Sequence, residues 1–169
     1  MEIMSSTIDD IDKIFCLYDD AIEYQKKVFT KQWEGFERNL IERELREHRQ
    51  WKIVINDEVA AIFAISFNDK LLWKENDDQP SIYIHRIVTH SKFRGAAFML
   101  TIIDWAKQYA KKKEKNFIRM DTWGDNQRLI DYYVKCGFTH IDTVPIIKTD
   151  SLPSHYKFNE TLALLEIRI

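Results

Sequence analysis

Glycine is scarce: the 169 residues hold 4, where average usage of about 7% would give about 12, so each one calls for a local reason. Cysteine is scarcer. Cys16 and Cys136 lie 120 positions apart with no export signal ahead of them, so reduced thiols are expected rather than a disulfide or a zinc site. An excess of one charge is also missing. The 25 Lys and Arg against 27 Asp and Glu leave a net −2, too little field to hold a nucleic acid or an acidic membrane. The longest apolar run, Val59 to Ile65, falls far short of the roughly 18 residues of a membrane span. Met1 to Thr7 has neither a basic n-region nor an apolar h-region, so the expectation is a cytoplasmic protein.

What is present suits one folded domain over residues 1–169. With 45% hydrophobic and 31% charged residues the chain is neither disordered nor collagen-like. At this size roughly 70% of the unfolded surface can be buried. Ser5-Ser6-Thr7 ahead of Ile8-Asp9-Asp10 reads as a helix start, and Ile11, Ile14, Phe15, Tyr18, Ala21 and Ile22 recur at helical spacing to about Lys27. A second helix is predicted from Phe36 to about His48, with Leu40, Ile41 and Leu45 inward and Glu42, Glu44 and Glu47 on a solvated face. Residues 51–55 and 59–65 flank Asn56-Asp57-Glu58 as a hairpin. A polar loop is predicted over 68–80 and a strand over 82–88. A long helix follows from Gly95 to about Lys113, then a strand over 117–123, a short helix from Asn126 to Cys136, and strands over 138–144 and 163–169. This is an α/β order, and its strand, helix, strand unit over 82–123 implies a parallel pair with a right-handed crossover.

Two segments hold chemistry. Lys92-Phe93-Arg94-Gly95-Ala96-Ala97-Phe98-Met99 opens the long helix, where unpaired N–H groups and the helix dipole favour phosphate. Asp125-Asn126-Gln127-Arg128-Leu129-Ile130-Asp131-Tyr132-Tyr133-Val134-Lys135-Cys136-Gly137-Phe138 is a capped helix ending at a glycine. Each alone is ordinary structural logic.

Together they resemble the GCN5-related N-acetyltransferase superfamily. An arginine and glycine open a helix after a strand, and about 30 residues later come Asn126, Tyr133 and Gly137-Phe138. The similarity covers roughly residues 82–144. It implies that family's fold, a mixed antiparallel and parallel sheet flanked by about four helices. It also implies an acetyl-coenzyme A-dependent N-acetyltransferase acting on an amine acceptor by direct transfer, without metal. The main chain of Arg94, Gly95, Ala96, Ala97, Phe98 and Met99 would hold the pyrophosphate. Met99 stands where the family has a small residue. Starting the motif at Lys92 instead puts Gly95 and Ala97 in the small positions but gives up the leading arginine. Ile87 and Val88 would pair with the pantetheine arm as a strand would, Asn126 would bond the arm's amide, and Tyr133 would protonate the leaving sulfur. A homodimer is a fair expectation from the same resemblance.

Such a transfer needs an oxyanion stabiliser, here a backbone N–H near Val88, and a base for an acceptor ammonium of pKa near 10.4. His85 and Asp121 are both candidates. Strand alternation places Tyr83, His85 and Ile87 on one face. His48, His90, His140 and His155 show no metal-ligand spacing. Lys107, Lys111, Lys112, Lys113, Lys115 and Arg119 read as a solvated helix end rather than a nucleic-acid patch, while Trp33, Phe36 and Trp73 are candidates to line an acceptor pocket. A coenzyme A-binding sensor or scaffold without catalysis is the alternative function, and an RNA-binding module is a third.

Overall fold

The computed structural model describes residues 1–146 and 160–169; His155 lies outside them. Strands β1 (Glu2–Ser5), β2 (Gln50–Ile55), β3 (Glu58–Ser66), β4 (Ser81–Thr89), β5 (Phe117–Trp123), β6 (Thr139–Pro145) and β7 (Thr161–Arg168) form one sheet in the order β1-β2-β3-β4-β5-β7-β6. The α-helices are α1 (Ile11–Val28), α2 (Arg38–Arg46), α3 (Lys70–Trp73), α4 (Phe98–Lys112) and α5 (Gln127–Lys135), with short 3-10 turns between elements. β4 and β5 are parallel, from Ser81 opposite Phe117 to Ile84 opposite Met120; β5 and β6 each pair antiparallel with β7. The mixed α/β architecture expected from the sequence is the one observed.

The chain forms two compact units: residues 1–65 with 86–98, and residues 66–85 with 99–169. In the first, the Thr7 N–H donates to Asp10 Oδ2 at 2.8 Å, closing the turn that starts α1. Ile11, Ile14, Leu17 and Tyr18 then recur along one stripe and are buried with Ile41, Leu45, Ile62 and Val88. The β2–β3 hairpin turns on Asn56 and Asp57, both with positive φ (49° and 63°), the left-handed pair that a two-residue turn matching strand twist requires.

The second unit buries Leu72, Trp73, Tyr83, Ile146, Leu162 and Leu164 together. Gly124 is explained by contact: a Cβ there would lie 2.5 Å from Thr161 Oγ1 and 2.8 Å from Thr143 Cγ2. The polar segment 68–80 is not the plain loop predicted. Asp69 caps α3, accepting from the Leu72 N–H, and a 3-10 turn follows over Lys74–Asp78. Asp69 ahead of Lys70-Leu71-Leu72-Trp73 is a cap signature too short to register as periodicity.

Arg119 is not part of a surface patch either. Only 3% exposed, it donates to Glu166 Oε2 at 2.8 Å and lies 4.4 Å over the Trp73 ring. No helix among the described residues is long and apolar enough to cross a membrane.

Candidate active site

In the first unit β4 does not keep the regular alternation predicted for it. Arg86 takes φ +49°, a conformation that costs a side-chain-bearing residue about 1–2 kcal/mol. The kink breaks the period of two between His85 and Ile87. What holds it is a buried network. Arg86 Nη2 donates to Glu44 Oε1 at 2.6 Å, Arg86 Nε to Tyr18 Oη at 3.4 Å, and Gln50 Nε2 to Glu44 Oε2 at 2.8 Å and Tyr18 Oη at 3.2 Å. Burial works against the Arg86 charge, but Tyr18 and Glu44 outweigh it and keep the guanidinium more firmly protonated than usual. Glu44, expected on the solvated face of α2, is only 3% exposed. Its partner Arg86 lies 42 residues away, beyond the reach of helical periodicity.

The segment after β4 is a 3-10 turn, Ser91–Phe93, followed by Gly95 at φ +89° and Ala97 at φ +50°. α4 therefore starts at Phe98 rather than at Gly95. A Cβ on Gly95 would meet nothing within 4 Å, so backbone conformation and not space selects glycine there. Phe98 and Met99 are buried (5% and 4% exposed), so the bulk of Met99 goes to packing and its main chain to the helix start, where N–H groups have no intrahelical acceptor. The Arg94 guanidinium lies 3.8 Å from the Tyr24 ring centroid. Trp33 and Phe36 pack on this unit's core around Tyr18, whereas Trp73 is core in the second unit.

The second unit gathers His85 and Asp121, with His85 Nδ1 4.0 Å from Asp121 Oδ1. Asp69, missed in the sequence, joins them: one ligand atom from each of the three lies within 4.8 Å of the others. His85 Nε2 is 2.9 Å from Ser66 Oγ, and that hydroxyl donates its single proton to the Asn68 carbonyl at 3.0 Å. Ser66 Oγ thus links His85 Nε2 to the Asn68 carbonyl, and Nδ1 is the ring nitrogen that faces Asp121. Asp69 is held by its own N–H, which donates to Asp77 Oδ1 at 2.6 Å, and by its carboxyl, which accepts from Leu72 N–H at 3.4 Å. Burial, against the Leu72 N–H and with the Asp77 charge, pushes its pKa up to about 6.

Tyr133 packs edge-on to Phe138, with ring centroids 6.2 Å apart. Burial first, then Tyr132, Asp121 and Cys136, raise the pKa of its phenol well above the ordinary value, so it is fully protonated at neutral pH. Asn126 caps α5, its Oδ1 accepting from Leu129 N–H at 3.2 Å, which leaves the side-chain NH₂ as a donor. Cys136 is the C-cap of α5, and both it and Cys16 are free thiols.

The sheet has known counterparts. A solved GNAT acetyltransferase from Listeria monocytogenes 4b F2365 superposes with a TM-score of 0.80 at 21% identity, covering 99% of this chain and 94% of that one. yncA from Salmonella typhimurium, described as a putative acetyltransferase and solved with acetyl-CoA, superposes at 0.68 and 11% identity, covering 99% and 92%. In sequence, the uncharacterized N-acetyltransferase YesJ of Bacillus subtilis (strain 168) is 29% identical over 87 residues. That match takes in 49% of this chain and 48% of YesJ, so the chain spans about half the length of this relative. The family model for acetyltransferases of the GNAT family matches residues 13–138, most of the chain and both segments singled out in the sequence, and the chain belongs to that family.

Proposed function

We propose that residues 1–169 work as one domain that transfers the acetyl group of acetyl-CoA directly to a primary amine. The observation that carries this reading is the placement of His85, whose Nδ1 lies 4.0 Å from Asp121 Oδ1 and whose Nε2 lies 2.9 Å from Ser66 Oγ. A histidine base suits neutral pH. The His85 imidazole takes one proton from the acceptor ammonium, and Asp121 stabilises the imidazolium formed. The amine lone pair then forms the N–C bond to the thioester carbonyl, whose developing oxyanion needs a backbone N–H donor. As the C–S bond breaks, the sulfur keeps the bonding pair and takes the Tyr133 phenol proton. The second amine proton leaves to water, and solvent restores Tyr133 and His85. The balance is ammonium plus thioester giving amide, thiol and one proton.

Ile87 and Val88, beyond the kink at Arg86, would offer main-chain groups to the pantetheine arm. The Asn126 NH₂ would donate to an arm carbonyl, and the main chain of Arg94 to Met99 would take the pyrophosphate. The test is thiol release from acetyl-CoA over a panel of amines. Tyr133→Phe should lower kcat by about 10²- to 10⁴-fold with coenzyme A affinity unchanged by calorimetry. Binding of coenzyme A without thiol release to any amine would overturn the transferase in favour of a binding module.

A further inference from the structure

Asp69 is placed with more care than a helix cap needs. Its main chain is tied to Asp77 and its carboxyl to Leu72, so the side chain is fixed beside His85 and Asp121 rather than swinging with a loop. The spacing of the three groups selects what they can hold. Ligands on one zinc or magnesium ion, with bonds of about 2.1 Å, sit about 3 to 3.4 Å apart. Acceptors around one primary ammonium, with N–H···O lengths of about 2.8 Å at tetrahedral angles, sit about 4.6 Å apart. The cluster spans 4.0 Å from His85 to Asp121, and all three groups fall within 4.8 Å. The His85–Asp121 separation is wider than a bound metal gives, and the cluster admits an ammonium, whose three N–H donors can meet two carboxylates and one imidazole nitrogen.

We propose that Asp69, His85 and Asp121 seat the ammonium of the acceptor, with Asp69 as a further catalytic residue, and that the acceptor is a primary alkylamine with no carboxylate next to its reacting nitrogen. This rests on the transferase reading above. A carboxylate on the adjacent carbon would enter beside Asp69 and Asp121, with Asp77 behind them, and meet like charge at close range. The groups facing Asp69 are His85 from β4, Asp121 from β5 and Asp77 from its own segment. The partly neutral state of its carboxyl below about pH 6 weakens the seat on the acid side.

The experiment uses the full chain, acetyl-CoA and matched acceptors that differ only in the carboxylate: phenylethylamine against phenylalanine, and methylamine against glycine. Expected is a kcat/KM at least about tenfold higher for the alkylamine of each pair. Asn at position 69 keeps the oxygen that caps α3, so Asp69→Asn should fold. It should raise KM for the amine about tenfold or more, leave KM for acetyl-CoA unchanged, and move the acid limb of the kcat/KM profile. Equal use of phenylalanine and phenylethylamine, or an unchanged amine KM in Asp69→Asn, overturns the seat while the transferase stands. No thiol release with any amine overturns both.

Discussion

Two charged clusters, one in each unit, use similar side chains for opposite ends. Around Arg86 every charge has a close partner: Glu44 receives Arg86 at 2.6 Å and Gln50 at 2.8 Å, and the whole set is buried. Around His85 the contact to a carboxylate is longer. Asp121 is 4.0 Å from the imidazole, and Asp69 sits where burial and Asp77 resist its ionisation. A closed network fixes backbone, in this case the left-handed Arg86. The other leaves Asp69 resisting its own charge, which the cationic acceptor proposed above would relieve, making binding energy available to catalysis.

The largest expected effect falls on the closed cluster. Glu44→Ala strands a buried guanidinium, and breaking such a pair typically costs about 3–5 kcal/mol. Urea unfolding at pH 7 should show that loss as a lower midpoint with unchanged slope. Replacing Arg86 as well, in Glu44→Leu with Arg86→Leu, should recover most of the stability while coenzyme A affinity falls, because the kink loses its anchor. A stability change under 1 kcal/mol in Glu44→Ala would show that the network is not the clamp.

The cluster around His85 should respond with the opposite sign. The pKa of Asp69 is about 6 in the folded chain against 3.8 as the ordinary value. The folded state therefore holds the proton more tightly, and Asp69 costs nothing below about pH 4. As pH rises from about 4 to 6 the unfolded chain ionises first, so stability falls, by up to about 3 kcal/mol above pH 6. Asp69→Asn should thus raise the midpoint at pH 7 and match the unsubstituted chain near pH 4. Stabilisation accompanied by a poorer amine KM would mark Asp69 as a residue kept for function at the expense of the fold.

The same contrast explains which parts of the molecule were legible in sequence. α1, β5 and α5 repeat on a local period, so the stripe of Ile11, Ile14 and Tyr18, the strand 117–123 and a cap at Asp125 or Asn126 were readable, and the structure makes it Asn126. Glu44 was not, since nothing in α2 announces Arg86. Nor was the kink at Arg86, where a φ of +49° falls on a residue that gives no warning of it. Asp69 and Ser66 reach His85 only through folding of the 66–80 segment, whose short α3 has too few residues to show a period. Local order is written locally; the polar groups that meet across strands are not.

The smallest expected effect tests whether the closed cluster's unit holds a second, softer device at the start of α4. Gly95 sits at φ +89° with open space around its missing Cβ. Gly95→Ala therefore meets no clash and pays only for left-handed backbone, about 1 kcal/mol. If the loop served the fold alone, that would be the whole consequence. If its main chain grips a diphosphate, the added methyl stands where the ligand must approach, and coenzyme A affinity by calorimetry should fall by more than the roughly fivefold that 1 kcal/mol represents. Comparison with dephospho-coenzyme A, which retains the diphosphate, should show the same loss. A loss confined to coenzyme A would instead place the contact at its 3′-phosphate, and equal affinity for both chains would remove Gly95 from the site.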